Sequence, residues 1–109
     1  MLAATLSVTP GKSSLELTLE IANEGTEQVE ITFSSSRKAD FVALDDGDEV
    51  WRWSEGRMFT QALDDATLRP GESMSFEAVW EDPDPGEYQV RGTLVAINHD
   101  ESAEMTVSI

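Results

Sequence analysis

Apolar and polar residues alternate along much of this chain, and the two-residue period they keep is that of strands with one wet face. Leu15, Leu17, Leu19 and Ile21 point one way, while Ser14, Glu16, Thr18 and Glu20 point the other. Met74, Phe76, Ala78 and Trp80 repeat the arrangement, as do Tyr88, Val90, Leu94 and Ala96 and then Ala103, Met105, Val107 and Ile109. No long helical period runs beside them. A strand with one polar face needs another layer over its apolar face, so the pattern asks for two sheets around one core.

Turn residues cut the pattern into elements. The first strand runs over Leu2 to Val8 and ends at Thr9-Pro10-Gly11-Lys12; the second runs from Ser14 to Ile21. Asn23-Glu24-Gly25-Thr26 then reads as a tight connection to a strand over 28–33, whose apolar face is Val29, Ile31 and Phe33. A polar link from Ser34 to Lys38 leads to Phe41–Leu44, and Asp45-Asp46-Gly47-Asp48 matches a hairpin turn, because Asp-Gly suits the left-handed positions such turns require. Val50 to Trp53 resumes the sheet, with Trp51 and Trp53 on one face and Arg52 on the other. After the Ser54-Glu55-Gly56-Arg57 turn, the stretch from Phe59 to Leu68 is the least regular and fits one helical turn or an edge strand.

Arg69-Pro70-Gly71-Glu72 turns the chain into a strand over Ser73 to Trp80. Glu81-Asp82-Pro83-Asp84-Pro85-Gly86 is a rigid acidic loop, since two prolines remove donors from any ladder. A strand over Tyr88 to Ile97, an Asn98-His99-Asp100 turn and a strand over Ala103 to Ile109 complete about seven to eight strands. Turns every eight to twelve residues favour an antiparallel β-sandwich, although a closed barrel satisfies the same alternation. Val79, Val95 and Ile97 fall on the opposite parity from their strands' apolar faces, which marks either an exposed apolar patch or a change of layer.

With 109 residues, 39% of them hydrophobic, the chain fits one domain over 1–109 and leaves little room for a second core. There is no cysteine, so packing must hold the fold, which is compatible with a reducing compartment. Met1 to Thr5 lacks a basic leader, and no segment approaches the roughly 20 apolar residues needed to cross a membrane. The expectation is a soluble, cytoplasmic protein. A formal charge of −15, from 22 acidic against 7 basic residues, argues against nucleic acid and anionic membranes as partners. The acids are spread over strands and loops, so their repulsion should weaken the fold at low salt and relax at high salt; the expectation is a salt-adapted, halophilic protein.

The run Phe41-Val42-Ala43-Leu44 through Glu49-Val50-Trp51-Arg52-Trp53-Ser54-Glu55-Gly56-Arg57-Met58-Phe59-Thr60-Gln61 is more specific than the alternation. It resembles the core motif of the intracellular proteinase inhibitor family named for the Bacillus protein BsuPI. The likeness continues into Leu68-Arg69-Pro70-Gly71-Glu72, Trp80 and Pro85-Gly86-Glu87-Tyr88, and includes the Asn23 turn. The resemblance implies an immunoglobulin-like antiparallel sandwich without disulfides, and a small cytoplasmic protein that inhibits an intracellular serine protease without catalysis. The alternative is a noncatalytic interaction or structural sandwich with no protease target.

No residue set carries a catalytic signature. His99 is the only histidine and sits beside Asp100 in a turn expected to be solvated; a relay to Ser54, Ser73 or Ser102 has no spacing behind it. Without cysteine a zinc site is not expected, and the acidic runs Asp45–Glu49 and Glu81–Asp84 lack the spacing of a helix-loop-helix calcium site, so they read as solvated turns. No metal or cofactor is expected. The candidate partner-binding residues are Ser54, Glu55, Arg57 and Met58: Gly56 forms a tight projection, and Arg57 and Met58 supply a charged fork and an adaptable apolar stem. Trp51, Trp53 and Phe59 belong in the core. The Pro83–Gly86 loop and a sheet edge free of proline and inward charge are the other two routes to a partner. The oligomeric state is not specified by any of these features.

Overall fold

The computed structural model describes residues 1–109 as nine strands: β1 (Leu2–Pro10), β2 (Ser14–Asn23), β3 (Val29–Phe33), β4 (Ala39–Asp45), β5 (Asp48–Arg52), β6 (Asp64–Leu68), β7 (Ser73–Glu81), β8 (Glu87–Val95) and β9 (Asp100–Ser108). All pairings are antiparallel. The strand orders are β1-β2-β7, β5-β4-β8-β9 and, in a separate pair, β3-β6. The ninth strand is β6, so the irregular stretch before Leu68 resolves as an edge strand against β3.

One core joins the three sheets. Leu15, Leu17, Leu19, Ile21, Ala78 and Trp80 come from the three-stranded sheet, and Phe41, Ala43, Tyr88, Val90 and Leu94 from the four-stranded sheet. Ile31, Phe33 and Leu68 of the β3-β6 pair close it. This is a β-sandwich, and the alternation in β2, β7 and β8 faces inward as its parity requires. Gly92 sits in the dry parity of β8 where a Cβ would lie 3.3 Å from the Leu6, Leu19 and Phe41 side chains, so its missing side chain lets the two sheets approach.

The expected tight connection between β2 and β3 is not a hairpin, because β3 pairs with β6 instead. The cause is Asn23, which continues the inward parity of β2 and is 1% exposed. Its side-chain Nδ2 donates to Glu27 O at 2.8 Å and Leu68 O at 2.9 Å, and its Oδ1 accepts from Gly25 N at 3.0 Å. A polar residue at the end of a dry row thus ties β2 to the β3-β6 pair instead of turning the chain back.

The stretch after β8 also departs from expectation. The strand stops at Val95, and Ile97 to His99 docks on the free edge of β3. Ile97 N donates to Thr32 O at 2.8 Å; Asn98 Oδ1 accepts from Thr32 N at 3.0 Å and Asn98 Nδ2 donates to Glu30 O at 3.0 Å. His99 Nε2 donates to the same Glu30 oxygen at 2.8 Å, so the half-buried imidazole of this turn also makes a structural contact. Val79 and Val95 lie on different sheets, so the opposite-parity residues do not gather into one patch.

Candidate binding site

The Asp46-Gly47 turn, with φ of 50° and 88°, folds β5 back on β4 as the Asp-Gly pair predicts. A bulge between Ala43 and Leu44 then sets Trp51 opposite Ala43, and Trp53 N bonds Phe41 O at 2.9 Å. Both indoles therefore share the inward face of Phe41 and Ala43. Trp51 stacks on Trp80 at 5.4 Å between ring centroids, while Trp53 meets Phe41 edge-on at 6.4 Å and Phe59 at 5.8 Å. The opposite parity carries Asp40 and Arg52.

Asp40 is 5% exposed although it lies on the outer side of its sheet. Its Oδ2 accepts from Ser54 Oγ at 2.6 Å and Arg52 Nη1 at 3.0 Å, and Arg37 Nη1 stands 3.7 Å away. Its Oδ1 accepts from Phe41 N at 2.9 Å and Ser54 N at 3.2 Å. Burial alone would raise its pKa, but the Ser54 hydroxyl, the Phe41 amide and the Arg52 guanidinium together hold it below the usual carboxylate value. Glu49 takes the other end of Arg52 at 2.6 Å, and the hydrogen bonds that Arg52 donates to Glu49 and then to Asp40 push the guanidinium pKa up. A closed lattice of charge-assisted bonds thus fixes the start of the turn that follows.

Beyond that anchor the chain projects. Gly56 adopts φ of 76°, and Arg57 N bonds Ser54 O at 3.2 Å. Arg57 folds back over the Trp53 indole at 4.6 Å and its Nε donates to Trp53 O at 2.8 Å. Glu55 is exposed at the tip, with its amide bonded to Arg52 O at 3.2 Å. Met58 is 98% exposed. Two bonds between Ser36 and Thr60, one backbone and one through the Ser36 hydroxyl, each 2.9 Å long, then return the segment to the body.

Of the four candidate residues, Ser54 and Arg57 are held in fixed poses, while Glu55 and Met58 present free side chains. The sequence pattern did not single out Asp40, though a carboxylate between Ala39 and Phe41, with Arg52 ending the next strand and Ser54 two positions beyond it, is the arrangement that would have revealed it. His99 faces Glu30 and Ser54 faces Asp40, so Ser54 and His99 do not pair. Neither acidic turn brings three carboxylates onto one point. The Pro83–Gly86 loop is pinned by Asp82 N to Ser13 O at 2.7 Å and by Tyr88 Oη to Asp84 O at 2.7 Å.

A family model described as BsuPI, intracellular proteinase inhibitor, matches residues 2–99. The chain belongs to that family. The match spans β1 to β8 and the whole Asp40–Met58 region, so this BsuPI member carries its candidate site inside the family's defining segment. The family's description names an inhibitor and not an enzyme. None of the curated proteins matches it.

Solved structures resemble the fold. The Bacillus subtilis sporulation control protein Spo0M superposes with a TM-score of 0.57 at 17% identity, covering 98% of this chain and 48% of that one. A β-glucuronidase from glycoside hydrolase family 2 gives 0.52 at 18%, covering 98% of this chain and 11% of its own. A calcium-binding mutant of Bacteroides uniformis β-glucuronidase 2 gives 0.51 at 15%, covering 99% and 13% respectively. The chain therefore spans under half of the sporulation protein and about a tenth of the glycosidases, and at these identities the likeness is one of fold.

Proposed function

We propose that this BsuPI-family protein binds an intracellular serine protease in the cytoplasm and occludes its active site without being a catalyst itself, using the Ser54–Met58 projection. One observation carries the reading: a methionine with 98% of its surface in water follows directly on a turn whose two ends are held, by Asp40 on Ser54 and by Trp53 under Arg57. A preset projection loses little freedom on docking, and an unbranched thioether fills an apolar specificity pocket without demanding one shape. Glu55 stands at the tip to meet the rim.

The sandwich is inferred to be of immunoglobulin type. In support, β1-β2-β7 and β5-β4-β8-β9 follow the two-sheet order of that fold. Tyr88, near the start of β8, also returns its hydroxyl to Asp84 O four residues upstream, as a tyrosine corner does.

Inhibition assays against the host's purified intracellular serine proteases, run in molar salt, test the function. Met58→Ala should weaken inhibition about tenfold or more, the loss expected when a buried apolar anchor worth about 1.4 kcal/mol is removed, with the melting temperature unchanged. Unchanged inhibition after replacing both Arg57 and Met58 with alanine overturns the proposal.

A further inference from the structure

β7 ends its sheet, and its outer edge has no neighbour. The register determines which peptide groups look outward. Asn23 N bonds Glu72 O and Asp82 N bonds Ser13 O, so in an antiparallel ladder the even-numbered residues from 72 to 82 face β2. Ser73, Ser75, Glu77, Val79 and Glu81 then aim both N–H and C=O away from the sheet. All five are exposed, and no backbone hydrogen bond outside the ladders reaches them.

The other edges are flanked by another strand, capped or short. β1 runs beside β9 and carries Pro10 at its end; β3 is capped by Ile97 to His99; β5 and β6 have five residues each. β7 offers nine residues without proline, and its inward side chains, Met74, Phe76, Ala78 and Trp80, bear no charge. It has none of the devices that usually blunt an edge except its outward glutamates. Met74 and Phe76 also stay half-buried although they stand in the dry parity, because no strand flanks them.

We propose that β7 takes an extended, cation-bearing segment of a partner protein as an added strand. Charge selects the occupant. The outer face beside the edge carries Glu77 and Glu81 on β7 and Glu16 and Glu20 on β2, with no cation on any strand of that sheet. A strand alternating Lys or Arg with aliphatic residues would set its cations beside Glu77 and Glu81 and its aliphatic side chains over Met74 and Phe76. A second copy of this chain is disfavoured because it brings the same glutamates and another net charge of −15. This surface is separate from the Ser54–Met58 projection and does not depend on it.

The test is a titration of the isotopically labelled protein with the peptide acetyl-Val-Lys-Val-Thr-Val-Lys-Val-Thr-Val-amide, long enough to reach from Glu81 to Met74, followed by amide shifts and hydrogen exchange. Shifts and protection should centre on Ser75, Glu77 and Val79, and a peptide with glutamate in place of both lysines should not bind. Glu77→Lys with Glu81→Lys, two exposed changes that leave the core intact, should weaken the lysine peptide about tenfold and admit the glutamate one. Ser75→Pro, which removes one outward donor, should weaken both. Met58→Ala must bind the peptide like the parent, so failure of the inhibitor reading is distinguishable. The proposal is overturned by no shift up to about 1 mM peptide, by shifts confined to the Ser54–Met58 projection, by unchanged affinity in the charge-reversed variant, or by self-pairing through β7 without peptide.

Discussion

Asp40 shows how one side chain can set a surface loop. Its carboxylate accepts two bonds from Ser54, one from Phe41 N and one from Arg52, so a strand, its hairpin partner and the projecting turn meet at a single group. Asp40→Asn replaces one oxygen with a donor facing the Arg52 and Ser54 donors, and at pH 7 should cost about 2–3 kcal/mol, the range for lost charge-assisted bonds. The pH dependence has a definite sign. Because folding lowers the Asp40 pKa from 3.8, its contribution is complete above that value and fades as pH falls through the lower folded value. The gap in stability between parent and variant, read from urea unfolding, should therefore hold from pH 7 to about 5 and shrink below pH 4. A gap that does not change with pH would assign the cost to packing instead. The other lowered carboxylate, Asp64, is exposed beside Lys38 and should add little.

At the scale of elements, period-two alternation located seven of the nine strands and an apolar run between turns located β4, because burial leaves a local imprint on sequence. The β4–β5 hairpin and the shared face of Trp51 and Trp53 were legible for the same reason. Three things were not. Asn23 and Asn98 look like turn residues, and whether an asparagine turns a chain or satisfies a distant backbone depends on what lies 45 or 66 residues away. Asp40 hid inside an apolar run, because its partners become neighbours only after the hairpin forms. The β7 edge depends on strand order, which alternation does not report. Asn98 gives the measurable case: it substitutes for a neighbouring strand on β3, so Asn98→Ala should free Thr32 N to water while Glu30 O keeps its bond from His99. The loss of about 1 kcal/mol should speed Thr32 amide exchange about fivefold while leaving exchange in β2 unchanged.

For the whole molecule the governing quantity is charge. Arg37, Lys38, Arg52 and Arg91 pair with Asp40, Asp64, Glu49 and Glu104, which leaves 18 of the 22 acids without an ion-pair partner. The three-stranded sheet bears its share through register. Glu16 stands between Thr9 and Val79, Glu20 between Thr5 and Ser75, and Glu77 opposite Thr18, so no two glutamates face each other directly. Avoiding the closest like-charge pairs removes the largest local costs but not the sum over longer distances. That sum is what salt screens, since the Debye length falls from about 30 Å at 0.01 M to about 3 Å at 1 M. The melting temperature should accordingly rise by about 5 °C or more between 10 mM and 1 M potassium chloride, a shift expected of roughly 1 kcal/mol in a domain of this size. Neutralising Glu16, Glu20 and Glu77 to glutamine should raise the low-salt value and reduce that slope. A melting temperature indifferent to salt would mean that the paired charges already balance the field, and the salt-adapted reading would be abandoned.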